Sequence, residues 1–168
     1  MDKSLVMLAA CVALLGGCKK DDAVTTPAAP QDAIVGTWLQ EGANVALGLR
    51  AAPLKVVKAV ATFNANLTVT TVTTDSSNAT YTYSGGTYVA STATADTSIR
   101  SIVITYSSPA IVQTGIFQIK GTTMTFEAVQ TTPQITGVTP PTIAAGFGSS
   151  AYNGVKFGVY YVQKFVKQ

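Results

Sequence analysis

The chain has 168 residues, 47% of them hydrophobic and only 11% charged, with a formal net charge of +3 at pH 7. Setting aside a leader and a spacer leaves roughly 130 residues, enough for one domain that buries about two-thirds of its unfolded surface. The basic residues are scattered without a dense cluster, which argues against a nucleic-acid partner, and the absence of histidine removes the commonest general base and the usual zinc ligand.

Lys3 makes the start positive, Leu5 to Leu15 is an apolar run, and Gly16 and Gly17 are the small residues of a cleavage site. Residues 1–17 are therefore expected to be a secretory signal peptide. At about 1.5 Å per helical residue the apolar run falls well short of a hydrocarbon core of about 30 Å. Leu15-Gly16-Gly17-Cys18 resembles the lipobox of bacterial lipoproteins. That resemblance implies cleavage before Cys18, whose thiol takes a diacylglyceryl group, with palmitate among the acyl chains. The membrane is then the first partner, an outer membrane with the protein facing the periplasm or the cell surface. Several chains, each contributing ~0.8 kcal/mol per buried methylene, anchor stably where one holds only marginally. Cys11 lies inside the leader, so no thiol remains in the folded part for a disulfide or a cysteine metal site. Lys19-Lys20-Asp21-Asp22 resembles the surface-export signals of Bacteroidota lipoproteins, with a plain charged spacer as the alternative. Residues 18–33 read as the lipidated cysteine and a flexible tether, and 34–168 as the domain.

Ile34-Val35-Gly36-Thr37-Trp38-Leu39 sets β-branched and aromatic residues around a glycine, predicting a first strand with a close approach at Gly36. Gly-x-Trp at the start of a small β domain resembles the first-strand signature of lipocalins and of the lipocalin-like domains in bacterial lipoproteins. The resemblance implies a barrel of about eight strands. It also implies a late cation packed across the tryptophan, for which Lys156 and Lys164 are the candidates in place of arginine. Residues 41–54 do not alternate and read as a loop with a helical turn, placed to cover one end of a barrel. Val56 to Phe63 and Leu67 to Thr74 form a hairpin about Asn64-Ala65-Asn66. Phe63, Leu67 and Val69 are expected inside and the threonines outside, with Val72 marking a bulge or a change of facing.

Thr80 to Tyr83 alternates again, Gly85-Gly86 punctuates, and Tyr88-Val89 resumes the extended character. In Ile99 to Tyr106 the alternation is clean, with Ile102, Ile104 and Tyr106 on one face. Gly115 to Phe126 reads as a tight hairpin turning at Gly121, with Phe117 and Ile119 on one arm and Met124 and Phe126 on the other. This late hairpin is the second point of similarity to bacterial lipocalin-like domains. Residues 130–156 are rich in proline and glycine and carry Ile135, Val138, Ile143, Phe147 and Tyr152. An ordered crossover on the barrel end is favoured for them, with a lid or a protein-binding loop as the alternative. Phe157 to Val166 is extended and can close the sheet against the first strand. The expected class is all-β, an antiparallel up-and-down barrel of about eight strands, with a β-sandwich as the alternative.

Beyond Asp21 and Asp22, the carboxylates after the leader, Asp32, Glu41, Asp75, Asp96 and Glu127, stand apart in sequence. No catalytic residue, metal site or cofactor is expected, and the chain reads as non-enzymatic. Trp38, Phe63, Tyr81, Tyr83, Tyr106, Phe117, Phe126 and Tyr161 are the candidates for lining a barrel interior, either around one small ligand or as a filled core. The tyrosine hydroxyls among them favour an amphipathic or partly polar ligand within the expected class of small apolar or amphipathic molecules. The second functional reading is an envelope protein acting through protein contacts at 130–156.

Overall fold

The computed structural model describes residues 31–168 except Asp96. The expected signal peptide, Cys18 and the tether up to residue 30 lie outside the described residues. The compact unit runs Gln31–Gln168 and so takes in Asp32, which the sequence pattern left in the tether.

Alternation dictates the architecture. The strands are β1 (Gly36–Glu41), β2 (Val56–Phe63), β3 (Thr68–Asp75), β4 (Thr80–Ala90), β5 (Arg100–Ser107), β6 (Ala110–Lys120), β7 (Thr123–Thr132), the two-residue strands β8 (Val138–Thr139), β9 (Ala151–Tyr152) and β10 (Val155–Lys156), and β11 (Gln163–Lys167). Strands β1 to β7 pair each with the next, and β11 lies between β7 and β1, giving a closed antiparallel barrel of eight strands. Closure leaves no edge for intermolecular pairing, which Thr- and Val-rich strands need, and it rules out the sandwich. On β5 the predicted face holds: Ile102, Ile104 and Tyr106 are buried while Val103 is exposed. The β6–β7 hairpin also forms as expected, with Phe117 opposite Phe126, Ile119 opposite Met124, and Gly121 at φ 59° in the first place of a two-residue turn.

Three local expectations are corrected. Leu67 is not on the inner face; it closes the β2–β3 turn at φ 64° and is exposed, because the turn takes residues 64–67 and the strand begins at Thr68. Val72 marks no bulge. The register jump lies between Val69 opposite Gly86 and Thr71 opposite Tyr83, which puts the extra residue on β4 beside Gly85. Alternation from the buried Val69 puts Thr71 and Thr73 inward and Val72 outward, so the threonines of β3 are not all outside. Residues 157–162 are not strand: Gly158–Tyr161 is a 3-10 turn, and β11 begins only at Gln163.

One end of the barrel is densely filled. Trp38 is fully buried and donates from Nε1 to the Ile34 carbonyl at 2.7 Å. The cation across its ring is Lys167, with Nζ 5.3 Å from the ring centroid, rather than Lys156 or Lys164. The predicted close approach at Gly36 is to this same side chain: Gly36 has φ 136°, and a Cβ there would lie 2.8 Å from Lys167 Cε. Arg100 is buried above Phe117, 4.8 Å from its centroid, and donates to both Asp32 carboxylate oxygens at 2.7 and 2.6 Å.

The stretch after β7 is an ordered crossover, part of which lies against the outer side of the barrel. Its anchor is Glu127, fully buried on the outer face of β7, which accepts from the Gly148 N–H at 2.6 Å, the Ser150 N–H at 3.1 Å and the Ser150 hydroxyl. A small sheet of order β10-β9-β8 forms within the crossover.

Candidate functional site

The two ends of the barrel differ in chemistry because the inward residues change character along the strands. Toward the end where β1 finishes and β2 begins, inward parity passes from Trp38 to Gln40, from Phe117 to Gln113 and from Phe165 to Gln163. Smaller side chains there, Ala59, Ala61 and Ala128, leave the interior unfilled. The result is a cavity of about 320 Å³, at the lower end of what a small-molecule site needs. Its floor is apolar, made by Phe63, Ile104, Met124, Phe126 and Phe165. Phe126 and Phe165 meet edge to face at 6.0 Å, which fixes that side of the floor.

Polar groups line the upper wall. The Tyr106 hydroxyl is 2.8 Å from Thr71 Oγ1, and its ring stands 5.4 Å from that of Tyr83. Burial pushes the Tyr106 hydroxyl above its ordinary value, against the opposing effect of Thr71, so it stays protonated at neutral pH. At the rim, Asp75 Oδ1 accepts from the Ser77 hydroxyl at 2.6 Å and from the N–H groups of Ser77 and Ala79 at 2.8 and 3.0 Å. These bonds, that of the Ser77 hydroxyl first, hold the carboxyl below its usual range and keep it charged. Gln40 is buried and donates from Nε2 to Gln163 Oε1 at 2.7 Å, while its own Oε1 has no partner.

The expected covering of one barrel end by residues 41–54 is present. The single-turn helix α1 (Leu47–Arg50) and the segment after it bring Leu49, Pro53 and Leu54 to the cavity. Of the aromatic candidates, Phe63, Tyr81, Tyr83, Tyr106 and Phe126 line the cavity together. Trp38 and Phe117 are barrel core at the filled end and do not reach it. Tyr161 is also off the cavity. It sits in the 3-10 turn with its ring against Gly48 of α1 and 4.8 Å from Phe157, because Gly158 at φ 58° turns the chain before β11 starts.

Sequence pattern alone missed Gln40, Gln113, Gln163, Thr71 and Thr73. Their signal was parity: each lies an even number of residues from a buried hydrophobic residue on the same strand, and in a barrel that places polar and apolar side chains on one face.

Fold and site together define a closed eight-stranded antiparallel barrel with a ligand-sized interior cavity, apolar below and amide- and hydroxyl-lined above. Comparison with protein-family models, with curated proteins and with solved structures finds no match to the chain.

Proposed function

We propose that this chain is a non-enzymatic, lipocalin-like binding protein of the bacterial envelope, held at the outer membrane by lipid on Cys18. Its barrel takes one small amphipathic ligand. The observation that carries this reading is the cavity. A barrel built only for stability fills its interior with side chains, whereas here alanines and a broken aromatic layer leave space bounded by five of the aromatic candidates. The apolar part of the ligand rests on Phe63, Met124 and Phe126, and its polar end meets the tyrosine and glutamine wall.

The direct test is native mass spectrometry of the protein taken from its own envelope. A retained small molecule, one per chain, is expected, and a chain that is always empty and that fails to take up a hydrophobic fluorophore such as N-phenylnaphthylamine defeats the reading. Anchoring is tested separately, since Cys18→Ser should abolish incorporation of labelled palmitate and release the protein from the membrane fraction. The exposed Ile135, Ile143, Tyr152 and Val155 of the crossover favour a second reading, contact with a protein partner. Replacing these four by serine without loss of any cross-linked partner in the envelope counts against it.

A further inference from the structure

Gln40 is the side chain in the barrel that folding alone does not account for. It is 2% exposed and lines the cavity, and among the described residues its Oε1 is the one buried side-chain polar atom without a hydrogen-bond partner. Exchanging oxygen and nitrogen in both amides preserves the bond to Gln163 and moves the deficit to an N–H, so Gln40 has an unmet polar atom in either arrangement. An unmet buried amide is destabilising, and leucine would fill the same inward position without the deficit. Rotation about the last side-chain bond is soft in glutamine, so the amide can turn toward the cavity when a partner arrives there.

Charge at the site narrows the partner. The lining contains no lysine or arginine, and its single acidic group is Asp75 at the rim. Arg100 is at the opposite, filled end and already holds Asp32. A carboxylate head would lose its hydration without gaining a counter-ion and would pass the Asp75 charge on entry. A cationic head gains little at the depth of Gln40, because Asp75 is half-buried at the rim with Oδ1 already accepting three hydrogen bonds.

Resting on the reading of the barrel as a ligand carrier, we infer that its ligand has an uncharged head that both donates and accepts a hydrogen bond, a hydroxyl or a carboxamide, seated on the Gln40–Gln163 amide pair. Donor and acceptor are both needed because Gln40 presents one and Gln163 the other. Ionised carboxylates of the same chain length are excluded.

The test is calorimetric titration of the purified protein at about pH 8, where decanoate and decylamine are both charged, against decanol and decanamide. Decanol and decanamide are expected to bind at least about tenfold tighter than either charged analogue, the equivalent of one satisfied buried hydrogen bond. Gln40→Leu should weaken decanol by about tenfold while raising the thermal midpoint of the ligand-free protein, since it removes the unmet amide. Equal binding of all four probes, or tightest binding of decanoate or decylamine, overturns the head-group assignment and leaves the carrier reading standing. An unchanged decanol affinity in Gln40→Leu overturns it as well. Failure of all four to bind overturns both. The comparison of probes on the unaltered protein decides the matter even if the variant does not fold.

Discussion

Arg100 shows how one residue ties the start of the domain to the barrel. It opens β5 at an inward position, where an arginine is out of place unless its guanidinium finds partners. It finds the Asp32 carboxylate by two bonds, the Ser91 carbonyl at 2.6 Å and the face of Phe117. Asp32 is 42% exposed at its side chain, so solvent screens the pair and its worth is modest. Asp32→Asn is expected to cost about 1 kcal/mol at neutral pH, read by urea unfolding. The pH dependence has a definite sign. The Arg100 hydrogen bonds hold the Asp32 carboxyl below its ordinary 3.8, so its contribution is complete above that value and is lost as pH falls through the lowered folded value. The stabilities of the unaltered protein and Asp32→Asn should therefore converge in acid, and a constant gap down to about pH 2 would show that the carboxylate charge is not what matters. At this scale little was legible in advance. The tryptophan was readable from Gly36-Thr37-Trp38, but its cation was not, since Lys167 reaches Trp38 only because β11 pairs with β1 in a register that places Lys167 opposite Trp38.

Elements were legible where alternation was strict or a turn carried glycine. Alternation marks β5, Gly121 marks the turn of the β6–β7 hairpin, and both formed as expected. These signals fail at residues 157–162, where Val159, Tyr160, Tyr161 and Val162 have strand propensity but tertiary packing of Tyr161 on Gly48 and the left-handed Gly158 impose a 3-10 turn. They fail also at β4, whose two glycines serve a bend rather than a turn. Gly85 adopts φ 59° at the bulge, and a Cβ on Gly86 would meet the Val69 carbonyl and lie 2.9 Å from Tyr106. Gly86→Ala should therefore cost about 1–3 kcal/mol in denaturant unfolding and displace Tyr106 from Thr71. The crossover supports a further prediction. Beyond its own small sheet, it is tied to the barrel wall by the Glu127 carboxylate, which accepts from the Gly148 and Ser150 N–H groups. Glu127→Ala should cost about 1–3 kcal/mol and leave those amides without partners. Hydrogen exchange at Gly148 and Ser150 should rise far more than at β5, whereas equal protection throughout would mean that the crossover is held by other contacts.

Across the whole molecule, the class was readable because about eight extended segments, mostly joined by short turns and with no crossover helix, leave few ways to bury their apolar faces, and closure removes the edges. The cavity was not readable, since it depends on how inward side chains from different strands sum at one level of the barrel. At the filled level Trp38, Phe63, Ile102, Phe117 and Met124 meet; at the open level Ala59, Ala61 and Ala128 face threonines and glutamines. This difference supports a decisive test of whether the space is a binding site or a packing margin. Ala61 is central to β2, is 4% exposed and pairs with Trp38 on one side and Thr71 on the other. Ala61→Phe directs a ring into the cavity. If the space is real, the ring enters it with little strain, the thermal midpoint stays within a few degrees, and decanol affinity falls by at least about tenfold. If the interior closes up in solution, the same substitution overpacks the barrel and lowers stability by about 1–3 kcal/mol. Stability and binding thus move in opposite patterns under the two cases, because a cavity maintained for a ligand has room for a side chain and a packed core does not.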